Sequence, residues 1–237
     1  MNELVERIRQ RLRKKAVVFQ TGGIRPTHKL GESWIGNVCW QKPGESQPMC
    51  SNANFPMAAL ATIFVPESEY TPKELNGIKM INIFVDDAIW DNFSDEDLSK
   101  YFVIRTYDDL NGLVPCDYSD EEMMLSFPLV PKFVDNEYPC WEDVETESKE
   151  IEDIILKLEN ENGLDYYSDI FDNNEKVHKL GGYPSTIQNT IVFKEGCKFV
   201  MQIASDSKAD INIVDDGNFY FGYNPETKEW SVQCDFY

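Results

Sequence analysis

Lys198-Phe199-Val200-Met201-Gln202-Ile203-Ala204, then Asn218-Phe219-Tyr220-Phe221-Gly222-Tyr223, then Trp230-Ser231-Val232-Gln233-Cys234-Asp235-Phe236 carry the reading of the architecture. In the last of these, Trp230, Val232, Cys234 and Phe236 alternate with polar residues, the period of two that a half-buried strand imposes. The first two are short apolar and aromatic runs of the length and composition of buried strands. Asn224-Pro225-Glu226-Thr227-Lys228 supplies a hairpin loop between the second and third. With Asn212 to Val214 as a further short strand, the carboxyl end is expected to be built into a sheet.

The same signals recur toward the amino terminus. Ala16 to Gln20 is an apolar run that stops at Thr21-Gly22-Gly23, a strand followed by a turn. Met57 to Val65 reads as a buried strand ended by Pro66. Residues 78–83 alternate Ile78, Met80 and Asn82 with Lys79, Ile81 and Ile83, apolar on both faces and therefore central. Tyr101 to Thr106 is β-branched and aromatic. Residues 24–56, rich in Gly, Pro, Ser and Asn around Trp34 and Trp40, read as an irregular loop, and residues 107–145 show no sustained periodicity. Two helices stand out. Leu4, Val5, Ile8 and Leu12 share one face of a basic amphipathic segment, and Ile151, Ile154, Ile155 and Leu158 define an acidic helix near 148–161 that stops at Asn162-Gly163. The expected class is α+β, with β-rich mixed or antiparallel sheets and these two helices, in a single domain over residues 1–237.

The chain has 237 residues and a net charge of −20. Phosphate-binding surfaces draw affinity from clustered Lys and Arg, so nucleic acid is excluded as a partner class. Such a charge reads first as solvation of the surface, and alternatively as a means of speeding encounter with a basic protein. The cations are uneven: the first fifteen residues hold Arg7, Arg9, Arg11, Arg13, Lys14 and Lys15 against Glu3 and Glu6. A basic amphipathic segment can address a membrane surface or a mitochondrion, but docking on the acidic body is the reading preferred. No run reaches the ~18 apolar residues of a membrane span. The charged amino terminus lacks the apolar core of a signal peptide, so a cytoplasmic protein is expected, its six cysteines reduced and mostly buried.

The usual catalytic signatures are missing from the sequence. Neither Cys-x-x-Cys nor His-Glu-x-x-His occurs, and only His28 and His178 are available for a histidine metal site. There is no Walker A loop, no Gly-x-Gly-x-x-Gly, and no Gly-x-Ser-x-Gly elbow. Asp206, Asp210, Asp215 and Asp216 are close enough in sequence to hold calcium. The EF-hand template fails, however, because Val214 and Tyr223 fall at ligand positions, and Asp-Asp-Gly is ordinary turn chemistry. No cofactor or metal is expected. His178, followed by Gly181-Gly182-Tyr183-Pro184 and Gln188, reads either as a ligand or proton-transfer site, with glycines permitting close backbone approach, or as a structural corner in which His178 caps a carbonyl. The corner is the preferred reading.

His178-Lys179-Leu180-Gly181-Gly182-Tyr183-Pro184 with Gln188, then Met201-Gln202-Ile203-Ala204-Ser205-Asp206, then Asp215-Asp216-Gly217-Asn218-Phe219-Tyr220-Phe221, resemble the hallmarks of the YwqG-like family of bacterial proteins of unknown function. Gly22-Gly23-Ile24-Arg25-Pro26, Trp34 and the Met57-to-Ile63 run resemble its amino-terminal signals, so the resemblance covers roughly residues 15–237. Two departures are Thr62, where the first repeat usually has Gln, and Asn212-Ile213-Val214, where a Trp-Gly approach to the aspartate is usual. The halves also echo each other: a Gly-Gly turn (Gly22-Gly23, Gly181-Gly182), an apolar strand, an acidic loop, a glycine (Gly77, Gly217) and a second strand. An ancient duplication relating 16–106 to 180–237 is therefore expected.

The family supplies no biochemical role. The expectation is a non-enzymatic, acidic protein-binding module, in its specific form an immunity-type protein that neutralises a basic toxin. The alternative is a small-molecule-binding protein or unrecognised enzyme using the Gly-Gly-Tyr-Pro turn, and a third reading is a scaffold with no discrete site. The candidate ligand or partner contacts are His178, Gly181, Gly182, Tyr183, Pro184, Gln188, Gln202, Asp206 and Asp216.

Overall fold

The computed structural model describes residues 2–52, 54–188 and 190–237. In chain order the elements are α1 (Asn2–Leu12), β1 (Lys14–Thr21), β2 (Ser33–Ile35), β3 (Trp40–Gln41), β4 (Ala58–Phe64), β5 (Met80–Val85), β6 (Phe102–Tyr107), β7 (Val114–Pro115), β8 (Phe127–Glu137), α2 (Trp141–Glu147), α3 (Lys149–Asn162), β9 (Lys179–Gly181), β10 (Lys198–Ala204), β11 (Asn218–Asn224) and β12 (Glu229–Asp235). Ten strands form one sheet in the order β12-β11-β10-β9-β1-β8-β2-β4-β5-β6, while β3 and β7 pair separately. Every pairing between strands is antiparallel. The protein is thus β-rich α+β, with few helices.

The sheet curls until its two edges nearly meet. Between β12 and β6 lies a 3-10 turn, Leu98–Tyr101. The Val232 amide of β12 donates to Ser99 Oγ at 2.9 Å, and Gln233 Nε2 donates to the Glu96 carbonyl at 3.2 Å. On the inside, Phe102 of β6 packs edge-on against Phe219 and Phe221 of β11, ring centres 5.1 and 5.5 Å apart. The result is an almost closed barrel around one core, to which Val17, Ile35, Ile83, Leu129, Met201 and Phe221 contribute from across the whole sheet. Burial of this core from both ends of the sheet is what holds the edges together.

Inward residues alternate with outward ones along each strand. In β5, Ile81, Ile83 and Val85 join the barrel core, while Met80, Asn82 and Phe84 are buried on the outer face. The outer face is therefore also covered. On one half it lies beneath residues 36–52 and 54–57 and the β3–β7 ribbon, where Val38, Cys50, Met57, Ala59 and Phe84 cluster. On the other half a second layer gathers Ile8 and Leu12 of α1 with Tyr138, Val144, Ile151, Ile155 and Tyr166. Helix α3 starts on the Ser148 side chain and ends on Gly163 at φ 67°, a left-handed cap that glycine adopts without strain.

Several expectations need correction. Residues 107–145 contain β8, an eleven-residue strand at the centre of the sheet; Pro128 and Pro131 with Lys132, Asp135 and Asn136 hide its period, since proline usually argues against a central strand. Asn212 to Val214 is not a strand. Val214 and Asp216 have φ of 58° and 50°, and the chain there is a turn, with Asp206 bridging Ile211. The loop expected over residues 24–56 contains β2 and β3. The two Gly-Gly pairs are also not equivalent. Gly22-Gly23 follows β1, whereas Gly181-Gly182 lies at the end of β9, and it is Gly36, after β2, that sits like Gly181.

The strand order has a regularity of its own. Exchanging β1 with β8, β2 with β9, β4 with β10, β5 with β11 and β6 with β12 returns the same order read from the other end. The details follow the exchange. A register shift falls at Ala59/Ala61 of β4 and at Phe199/Met201 of β10. Ser33 Oγ accepts from the Phe64 amide at 2.9 Å, and His178 Nδ1 accepts from the Ala204 amide at 3.1 Å.

Candidate functional site

His178 immediately precedes β9 and is 2% exposed. Because the Ala204 N–H donates to Nδ1, that nitrogen carries no proton, and the proton of the neutral ring sits on Nε2. Nε2 lies 3.2 Å from Asp206 Oδ2, so it donates to the carboxylate. The expected cap is thus reversed: the ring accepts from an amide instead of donating to a carbonyl. Asp206 also accepts from the Thr21 hydroxyl and, through Oδ1, from the Lys208 amide at 2.8 Å. The His178 hydrogen bond first, then those of Thr21 and Lys208, hold the Asp206 carboxyl well below the usual carboxylate range against the opposing effect of partial burial. The group ties the end of β1, the start of β9 and the turn after β10 together beside an open cleft of 490 Å³. Neither ring nitrogen is left to serve a substrate.

Gln202 of β10 is buried on the outer face. Its Oε1 accepts from the Ser185 amide at 2.8 Å, and its Nε2 donates to the Val177 carbonyl at 3.1 Å. The Ser185 carbonyl in turn takes the Tyr220 hydroxyl at 2.7 Å and Asn218 Nδ2 at 3.2 Å. At Gly181, φ 74°, an added Cβ would lie 3.1 Å from the Tyr70 carbonyl and 3.2 Å from that of Lys15; at Gly182, φ 66°, it would lie 2.8 Å from Glu137 Oε2. The two glycines are therefore needed both for the backbone turn and for the closeness of its neighbours. The Tyr183 hydroxyl donates to the Leu12 carbonyl at 2.7 Å, fixing the end of α1. The Pro184 carbonyl accepts from Asn174 at 3.1 Å.

His178, Gly181, Gly182, Tyr183, Pro184, Gln202 and Asp206 thus surround one corner where β1, β9 and β10 meet. Gln188 is exposed, and its amide donates to Asp235 Oδ2 at 2.8 Å. Asp216 is exposed in its turn, where its amide donates to Asn212, and it lines none of the clefts. The four acidic residues of the supposed calcium set do not converge; among the described residues no three Cys, His, Asp or Glu side chains form a metal-holding group.

The most buried ionic group of this corner escaped the sequence reading. Lys179 of β9 and Glu137 of β8 are both 0% exposed and meet at 2.8 Å. Lys179 Nζ also donates to Asn174 Oδ1 at 2.9 Å, and Glu137 Oε1 accepts from the Glu175 amide at 2.7 Å. Burial pushes the Lys179 ammonium down while Glu137 opposes the shift. Nearby, burial pushes the Asp143 carboxyl up to about 6 despite its hydrogen bond from Thr186. A lysine ordinarily reads as a surface residue, and its partner is 42 positions away, so no local pattern announces the pair.

Fold and corner together define a β-rich α+β protein built on a nearly closed antiparallel sheet, with a glycine-rich corner whose polar groups bond to one another. A family model described as a domain of unknown function (DUF1963) matches residues 44–228, and the chain belongs to that family. The matched span runs from the loop before β4 to the hairpin between β11 and β12, and it includes all nine candidate residues. No curated protein matches the chain.

Proposed function

We propose that the protein is a non-enzymatic binding module that docks a basic protein partner, in its specific form an immunity-type protein that neutralises a basic toxin. The observation that carries the reading is the surface at the barrel seam. Asp87, Asp91, Glu96, Asp215 and Asp216 are exposed there, and none of them forms an ion pair among the described residues. They surround an aromatic chain in which Trp90 packs on Phe93 and Phe93 on Phe236. Tyr237 follows, its amide bonded to the Asp215 carbonyl. Trp90 is 38% exposed and Tyr237 58%. Lys100 and Lys194 stand at the same surface but are paired with Asp95 and Asp97, and Lys176 reaches the Tyr237 hydroxyl at 3.5 Å, so the acidic side chains remain in excess. Aromatic anchors within a predominantly acidic rim suit a basic partner, the rim steering encounter and the anchors supplying contact energy. The inward hydrogen bonds of His178 and Gln202 support a non-catalytic reading of the corner.

The narrower family reading, a YwqG-like protein, is supported by the His178-to-Gln188 and Met201-to-Phe221 motifs lying inside the matched span. The exchange symmetry of the strand order supports an origin by duplication, but with the second unit beginning at β8 and not at residue 180: β1 to β6 against β8 to β12, inside one domain. We assign the protein to the cytoplasm on its composition, without a cofactor. The test is affinity capture of partners by the tagged protein at low and at high salt, followed by mass spectrometry. A stoichiometric basic partner lost at high salt supports the reading; a partner that binds equally at both, or none, contradicts it.

A further inference from the structure

A groove of 820 Å³ opens at the mouth of the barrel, where the turn after β4 meets the segment joining β9 to β10. Its volume falls within the range that small-molecule sites occupy, and barrel mouths are a common place for them. The glycine corner contributes to its lining: at Gly181, φ 74°, an added Cβ would press on the Tyr70 and Lys15 carbonyls at 3.1 and 3.2 Å. Aromatic side chains line it, among them Tyr183, Phe193 and Phe199, the last two stacked with centres 6.5 Å apart. At its rim stands Val192, 74% exposed, the most exposed of the large apolar side chains among the described residues. A valine so open to water beside an aromatic-lined groove is apolar surface for which the fold provides no cover.

The charges of the groove do not follow those of the molecule. Four lysines and four acidic residues line it, in a chain with 22 basic and 42 acidic residues. Lys14 pairs with Glu147 and Lys15 with Glu69, each at 2.7 Å. Asp143 is buried and bonded to Thr186. Lys73 and Lys198 then remain, both exposed and in no ion pair among the described residues, against Glu74 alone. They stand on elements that pack together, Lys73 on the 3-10 turn Lys73–Leu75 and Lys198 at the start of β10.

The geometry points to a binding groove for a small amphipathic organic anion, with an aromatic or alkyl body on Val192, Phe193 and Phe199 and its carboxylate or sulfonate at Lys73 and Lys198. This site is separate from the acidic seam and stands or falls independently of partner docking there. Two dyes of similar shape and different charge test it on the full chain: 8-anilinonaphthalene-1-sulfonate and the neutral N-phenyl-1-naphthylamine, each titrated by fluorescence at low salt. The sulfonate binds saturably with one site and is displaced by octanoate. In Lys73→Ala/Lys198→Ala its affinity falls by about 5-fold or more, the equivalent of ~1 kcal/mol, while the neutral dye binds as before. Val192→Asp weakens both dyes. Non-saturable binding would overturn the proposal, as would an unchanged sulfonate affinity or equal losses for both dyes in the lysine variant. All three side chains are exposed, and unaltered near-UV circular dichroism of each variant verifies that the fold is retained.

Discussion

At His178 a single amide decides what the side chain can do. The Ala204 N–H occupies Nδ1 and the Nε2–H donates to Asp206, so the ring bridges the start of β9 to the end of β10 and its turn. A histidine beside two glycines looks the same in sequence whether it bridges or catalyses; the difference lies in hydrogen bonds to residues 26 and 28 positions away. The glycines were legible because their turn geometry is local, whereas the Lys179–Glu137 pair was not, because a buried lysine has no local signature. Asp206 has a pH consequence. Its carboxyl is held below its unfolded value of ~3.9. The folded state therefore binds fewer protons than the unfolded state at acid pH, and the contribution is full above that value and lost as pH falls through the folded pKa. Asp206→Asn is expected to lower stability at neutral pH and to flatten the acid limb of a denaturation-against-pH profile; an acid limb identical to wild type would contradict the role given to Asp206.

Among the elements, those that declare themselves by a pattern of fewer than ten residues were read with the right type. β4, β5, β10, β11 and β12 are apolar runs or clean alternations, and α3 has periodic isoleucines with a glycine stop. β8 failed because its two prolines and four polar residues mask the alternation, and its partners β1 and β2 are remote in sequence. Yet β8 and β9 flank β1, with Lys14 opposite Glu137 and Val18 opposite Lys179, so the buried ion pair links both neighbours of the central strand. Removing one partner strands a charge: Lys179→Met is expected to cost about 3–5 kcal/mol. Lys179→Met/Glu137→Gln should cost less than that single change, since the glutamine still accepts from the Glu175 amide. Urea denaturation of both variants measures this; a double variant less stable than Lys179→Met would show that the pair is not what couples the strands.

For the whole molecule, the exchange symmetry has a mechanical meaning. In the sheet β1 lies between β8 and β9, and β8 between β1 and β2, so each half completes the sheet of the other. Two chains covering residues 1–120 and 121–237, divided in the exposed stretch before β8, should co-purify as a one-to-one complex with the native circular dichroism, neither folding alone; an independently folded half that ignores its partner would contradict this. The strand signals at both ends of the chain could be read one by one, but the exchange could not, because pairing between halves leaves no local trace. The acidic total was legible as well, although its concentration around Trp90 and Tyr237 needed the seam to form. Partner docking rests on that concentration, and affinity capture at low salt by wild type and by Asp87→Asn/Asp91→Asn/Asp215→Asn/Asp216→Asn tests it directly. A basic partner is expected, released by salt from the wild type and not retained by the folded variant, whereas equal capture by both proteins would contradict docking at the seam and place partner binding elsewhere on the molecule.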